Sequence, residues 1–188
     1  MNRRTVIVGV AGLAAMGLVG WLGWRESSRR APQANRAIRA AAPITPDVEA
    51  FFAASLPDVE GVATAMSKWR GEPLVINFWA TWCPPCVKEM PDLDALAQAH
   101  PKAKILGIAI DTAANVREFM AKIPVSFPIF IAGHTGIDLV RALGNSAGGL
   151  PFTVLVNPAG RAVEVILGPV DPVLLGRQIE QLVARSVP

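Results

Sequence analysis

The run PLVINFWA at residues 73–80 carries no charge and no regular alternation of polar and apolar side chains. As a strand it presents apolar side chains on both faces, so it demands a sheet with a covering layer on each side. The run leads without a break into TWCPPC, residues 81–86, and then into PPCVKEMPDLDALAQAH, where Met90, Leu93, Leu96 and Ala97 recur on one helical stripe. A strand that passes through two cysteines into a helix is therefore the frame around which the rest of the chain must be arranged. Pro91 lies inside that helical stretch and predicts a kink, because proline supplies no backbone donor.

Downstream, AKILGIAI reads as a second buried strand, and ANVREFMAKI as a helix with Val116, Phe119, Met120 and Ile123 at three- and four-residue spacing. The short apolar run PIFIA and the helical stretch GIDLVRALG follow. FTVLV and RAVEVIL then flank NPAG, a turn punctuated by proline and glycine, which predicts a hairpin. The last helix, VLLGRQIEQLVARSV, places Leu175, Ile179, Leu182 and Val183 on one face. Strand-helix-strand units closed by a hairpin and a helix give an α/β fold, a mixed β-sheet with helices on both faces.

In front of this domain, residues 5–24 run for 20 residues without a charge, about 30 Å as a helix, which matches the hydrocarbon thickness of a bilayer. Trp21 and Trp24 stand at its end, as residues at a membrane interface do. The run reads as one transmembrane signal anchor. A cleaved signal peptide is the alternative, since Arg3 and Arg4 make a positive head, yet no clear small-x-small cleavage site follows. The flanks of Arg3-Arg4 fit a twin-arginine signal poorly. A short amino-terminal head favours a cytoplasmic amino terminus and an exported domain. Residues 25–46 are polar and rich in alanine and proline, which makes them a linker, and residues 47–188 form the domain.

Charge follows the same division. Residues 1–45 hold seven arginines against one acid, a net +6, whereas residues 46–188 hold 11 basic and 14 acidic side chains, a net −3. The basic balance belongs to the tail, so the domain has no electrostatic footprint for nucleic acid.

Cys83 and Cys86 are the chain's two cysteines. The ring they can close is so small that it removes little loop entropy, which makes them a poor staple. They supply two ligands where a structural zinc needs four, and neither His100 nor His134 belongs to a second paired motif. Val87 occupies the position where covalent haem attachment needs histidine. Redox use remains, with no cofactor and no bound metal expected. At a helix amino terminus Cys83 lies near the positive end of the macrodipole and near unpaired N–H groups, which favours its thiolate as the nucleophile. Cys86, one turn further in, is expected to be more buried and to resolve the mixed disulfide. Pro84 and Pro85 have no N–H to offer that thiolate, so the reduced form is disfavoured and a reducing potential is expected.

The segment FWATWCPPC resembles the FWAxWCxPC motif of the thioredoxin superfamily, with Pro91 matching its helix proline and GGLPFTVLV its cis-proline segment. The resemblance spans residues 55–185. It implies a thioredoxin-like fold, a cis bond at Leu150-Pro151, and a loop facing the disulfide that offers the backbone of Leu150 to an extended substrate. Trp82 and Pro84, with Leu150 and Pro151, are the candidate substrate contacts.

Two departures from ordinary thioredoxins narrow the resemblance. Asn77 stands where those proteins carry a buried aspartate, and Glu89 lies one helical turn after Cys86. With the anchor and the added helix after the second strand, these features are similar to the TlpA- and ResA-like reductases. That resemblance implies a single-pass protein of the inner membrane with its catalytic domain in the periplasm or another extracytoplasmic space, and Glu89 in an acid-base role on the Cys86 thiol. The opposing reading of Glu89 is a solvated helix residue. The partners so implied are disulfide-containing exported proteins, such as cytochrome c maturation substrates, and a membrane thiol electron donor. An oxidant that introduces disulfides, a peroxide reductase and a Cu(I) chaperone are the competing functions. Among the remaining residues, Trp79 reads as core, Trp82 as an apolar lip, His100 and His134 as loop or helix-end residues, and Asp92 and Asp94 as solvent-facing charges.

Overall fold

The computed structural model describes residues 46–185. The anchor expected at residues 5–24 and nearly all of the linker lie outside them; among the described residues no helix is long and apolar enough to cross a membrane. In chain order the elements are α1 (Val48–Ala53), β1 (Ser55–Pro57), β2 (Ala63–Ala65), a 3₁₀ turn (Met66–Trp69), β3 (Leu74–Trp79), α2 (Pro84–Ala99), β4 (Lys104–Ala109), α3 (Ala113–Lys122), β5 (Ile129–Ile131), a second 3₁₀ turn (His134–Gly136), α4 (Ile137–Ala142), β6 (Phe152–Val156), β7 (Ala162–Leu167) and α5 (Pro172–Ala184).

The main sheet has the order β5-β4-β3-β6-β7. β3 is its centre, parallel to β4 and antiparallel to β6, and all six of its residues are buried. Its side chains divide by the two-residue period of a strand. Leu74, Ile76 and Phe78 enter the core layer with Phe51, Phe52, Val140 and Leu143 from α1 and from α4 and its C-cap. Val75 and Trp79 enter the opposite layer with Met90 and Leu93 of α2, Val116 of α3, and Leu175, Ile179 and Leu182 of α5. The sheet is thus mixed and covered by helices on both faces, as the unbroken apolar run required.

Helix ends follow local chemistry. Asp171 caps α5 by accepting from the N–H groups of Val173 and Leu174, and Thr112 caps α3 by accepting from Asn115 N–H. Asp58 folds the β1–β2 connection by accepting from the N–H groups of Glu60 and Val62. The expected hairpin forms between β6 and β7, with a register shift at Leu155/Val156. β7 takes the edge of the sheet and leaves Val163, Val165 and Leu167 exposed.

β3 is also where the sheet changes direction in sequence, since the chain goes to β4 on one side and returns much later to β6 on the other. Open α/β sheets gather their chemistry outside the carboxyl ends of strands at such a point. The cysteines lie there.

Candidate active site

β3 ends at Trp79, whose carbonyl accepts from Ile110 N–H, and the chain then turns so that Cys83 N–H reaches the carbonyl of Ala80 at 3.2 Å. Asp111, just beyond β4 and buried, fixes this turn. Its Oδ2 accepts from Thr81 N–H at 3.0 Å and from the Thr81 hydroxyl at 2.6 Å, while Oδ1 accepts from Thr112 N–H at 2.7 Å and Asn115 Nδ2 at 2.8 Å. Burial pushes the Asp111 carboxyl up, but these four donors outweigh it and hold the group below the ordinary aspartate range.

Cys83 is the N-cap of α2, with Pro84 and Pro85 as the first helical residues, and its side chain makes no capping hydrogen bond. Cys83 and Cys86 form a disulfide, S–S 2.09 Å. Cys83 keeps 5% of its surface exposed and Cys86 none, the order expected of an attacking and a resolving thiol. Trp82 beside them is 59% exposed, and Pro84 is exposed too. Trp79 is wholly buried against Phe119, with ring centroids 5.0 Å apart.

Glu89 lies three residues after Cys86 and only 4% exposed, which corrects the solvated alternative. Its Oε1 accepts from Asn77 Nδ2 at 2.9 Å and its Oε2 from Val170 N–H at 3.0 Å. Asn77 reaches it because position 77 shares the α2-facing side of β3 with Val75 and Trp79. Asn77 Nδ2 also donates to Thr153 Oγ1 at 3.0 Å, across the β3–β6 pair in which Asn77 and Thr153 are register partners. Burial pushes the Glu89 carboxyl above its ordinary range; the bonds from Val170 and Asn77 oppose this without cancelling it, and Asp92 adds to the rise.

The Leu150-Pro151 bond is cis, as the thioredoxin resemblance implies. Leu150 is partly buried and packs against the cluster that holds both cysteines. Asn145, itself buried, braces the approach to this loop: its Nδ2 donates to the Gly149 carbonyl at 2.7 Å and its Oδ1 accepts from Gly148 N–H at 3.0 Å. Gly148 has φ +68°, a conformation other residues rarely adopt. From the other side Gly168 N–H reaches the Pro151 carbonyl at 2.9 Å. An open groove of about 820 Å³ lies elsewhere, between the β6–β7 turn and α5, and includes none of these residues.

The structure thus gathers Trp82, Cys83, Pro84, Cys86 and Glu89 on the approach to α2 and its first turns, with Leu150 packed against the core cluster that includes both cysteines. His100 caps the end of α2 and His134 lies in the second 3₁₀ turn, neither among the site's hydrogen-bonding partners. Asp92 is exposed and Asp94 partly so, and Asp94 also accepts from Ser126 N–H at 2.6 Å and the Ser126 hydroxyl at 2.7 Å, tying α2 to the segment before β5. Thr81, Asp111, Asn145, Thr153 and Val170 were not anticipated. Thr153 had a signal, a hydroxyl inside an apolar strand, and so had Asp111, a lone acid closing one. Val170 contributes only a backbone N–H, which no residue type announces.

A cysteine pair closed as a disulfide at a helix amino terminus, just after the central strand of a mixed five-stranded sheet, together with a cis bond before Pro151, defines a thioredoxin-fold dithiol protein. The Redoxin family model matches residues 39–178, and the chain belongs to that family, as a TlpA/ResA-like member of the thioredoxin superfamily. Thiol-disulfide oxidoreductase ResA of Geobacillus kaustophilus is 30% identical over 130 residues, 68% of this chain and 72% of that protein. ResA of Halalkalibacterium halodurans is 33% identical over 116 residues, which are 60% of this chain and 64% of the relative's length. Among solved structures, MTB dsbF in mixed oxidised and reduced forms is 28% identical with TM-score 0.63, covering 71% of this chain and 97% of that one. A thioredoxin-related protein from Neisseria meningitidis serogroup B is 30% identical with TM-score 0.59, covering 70% and 97%.

Proposed function

We propose that the protein is a thiol-disulfide oxidoreductase that reduces disulfides in exported proteins through Cys83 and Cys86. The observation that carries this reading is the position of Cys83: N-cap of α2, disulfide-bonded to the fully buried Cys86, slightly exposed itself and next in sequence to an exposed tryptophan. The curated relatives named thiol-disulfide oxidoreductase support it.

In the reduced protein the Cys83 thiolate attacks one sulfur of a client disulfide. That S–S bond breaks, the other client sulfur leaves as a thiolate with the electron pair, and a mixed disulfide to Cys83 forms. Cys86 then gives its proton to the Glu89 carboxylate and attacks Cys83 Sγ. The mixed disulfide breaks, the second client thiolate leaves, and Cys83–Cys86 is left oxidised, two electrons having passed to the client. A thiol donor in the membrane restores the dithiol. Trp82, Pro84, Leu150 and Pro151 contact the client, its extended segment pairing with the backbone of Leu150.

The reading extends to placement. Residues 5–24 anchor the chain in the inner membrane, residues 25–46 link, and the domain from residue 47 works in the periplasm on clients such as those of cytochrome c maturation. The uncharged 20-residue run supports the anchor.

Trapping tests the activity. Cys86→Ala in the full-length chain leaves the first step intact and removes the second, so clients should accumulate as adducts that dithiothreitol releases. Cys83→Ala should trap none. Absence of adducts with Cys86→Ala in cells where the wild type is active would overturn the reading.

A further inference from the structure

Asn77 has an arrangement that the dithiol chemistry described above leaves unused. Both hydrogens of its amide nitrogen are engaged, one by Glu89 Oε1 and one by Thr153 Oγ1. Its carbonyl oxygen, in a wholly buried residue, has no hydrogen-bond partner. A buried acceptor left unpaired is costly, so it calls for an account. A turn of the amide by 180° exchanges Nδ2 and Oδ1 and moves no other heavy atom; it pairs the oxygen but leaves the two N–H groups unpaired in its place, so it is uphill unless Glu89 presents a donor. In the orientation observed, Asn77 suits a charged Glu89, which can only accept. Once Glu89 takes a proton it becomes a donor at one oxygen, and the turned amide would face it with Oδ1. Thr153 serves either orientation, because a hydroxyl both accepts and donates. An aspartate at position 77 would suit only the protonated state, and an apolar residue neither.

We propose that the Asn77 amide turns with the protonation of Glu89, donating to the carboxylate and accepting from the carboxylic acid, with Thr153 holding it in both orientations. Asn77 and Thr153 are then positioning residues. They give Glu89 a bonded partner before and after it takes the Cys86 proton, while Val170 N–H holds its other oxygen throughout. The inference rests on the acid-base role proposed for Glu89. The proton comes from the Cys86 thiol, resides on Glu89, and passes to the departing client thiolate or to water; Asn77 carries none.

Among the described residues, the charged group acting on Glu89 is Asp92, on the same helix, which opposes ionisation. The neighbours from β3 and β6, Asn77 and Thr153, are uncharged. Beyond Val170, the Asp171 carboxylate is engaged by Val173 and Leu174 N–H. Cys83 and Cys86 titrate only when reduced, so the test is run on both redox forms.

The experiment follows, in the full-length chain, the carboxyl carbon of Glu89 and the side-chain NH₂ signals of Asn77 by NMR across pH. The two should move with one midpoint. In Glu89→Gln the NH₂ signals should sit at the acid-limit position at every pH, because the introduced side-chain amide donates to Asn77 Oδ1 while its oxygen accepts from Val170. Asn77→Asp should raise the proton affinity of Glu89 at least tenfold, one pH unit, and Asn77→Leu should raise it less. The pH profile of mixed-disulfide resolution should shift with each. NH₂ signals that ignore both the Glu89 titration and Glu89→Gln overturn the proposal, and this wild-type measurement stands even where a variant fails to fold. If Glu89→Gln leaves the resolution profile unchanged, the acid-base role of Glu89 falls, and the amide signals still decide whether Asn77 turns.

Discussion

Two buried carboxylates flank the dithiol helix, and their surroundings push them in opposite directions. Burial lifts Glu89 more than its two hydrogen bonds lower it; four donors lower Asp111 more than burial lifts it. The stability consequences therefore have opposite signs. Glu89, with a raised folded-state pKa, contributes stability that is present below the unfolded-state value and lost as pH rises through the folded one. Asp111, with a depressed one, contributes stability present above the unfolded-state value and lost as pH falls through its folded one. Urea unfolding of the oxidised protein should show Glu89→Gln gaining on the wild type as pH rises above the ordinary glutamate range. Asp111→Asn should cost about 2–3 kcal/mol at neutral pH, where a charged acceptor is replaced by an amide, and the deficit should shrink in acid. Parallel wild-type and variant profiles would refute this division. The sequence pointed to Asn77 and Glu89 because both depart from a known pattern at fixed spacing from the cysteines. Asn145 and Val170 were hidden because their work is done on, or by, backbone groups far along the chain.

At the scale of elements, legibility followed length and period. β3, α2, β4, α3 and α5 are long enough to show a pattern, and β6–β7 declared themselves by the turn between them. α1, β1 and β2 did not: six residues and two strands of three carry too little period, and Asp58 side-chain bonding shapes the turn between the strands. Packing between elements was equally out of view. Gly107 lies on β4 opposite Asn77, and a Cβ there would clash with Ile129 Cδ1 and come within 3.1 Å of Phe127 Cε2 and 3.2 Å of Trp79 Nε1. The absence of a side chain lets Trp79, Phe127 and Ile129 fill one layer. Gly107→Val should thus overpack this layer and destabilise by about 1–3 kcal/mol, seen as a lower urea midpoint at unchanged slope. An unchanged midpoint would mean that the Ile129 tip and its neighbours rearrange freely.

For the whole molecule the question is which way electrons run, and the architecture bears on it through the environment of one sulfur. The fold carries the end of its central strand into a helix whose first two residues cannot donate, so the N-cap sulfur has lost the donor at the second helical position. The missing donor is expected to weaken the reduced form and so to lower the potential. Equilibration with glutathione and thioredoxin buffers should place the Cys83–Cys86 couple below about −200 mV, on the reducing side of protein disulfide isomerase. Pro85→Ala should then raise it, because the variant returns an N–H at the position from which an N-cap side chain accepts. A hydrogen bond to a charged group contributes about 1.5–3 kcal/mol, and about 30 mV corresponds to 1.4 kcal/mol for two electrons, so the rise should be roughly 30–60 mV. A wild-type potential near −120 mV, where strong oxidants lie, would reverse the proposed direction of transfer. A Pro85→Ala couple that stays at the wild-type value would show that the missing donor does not set it.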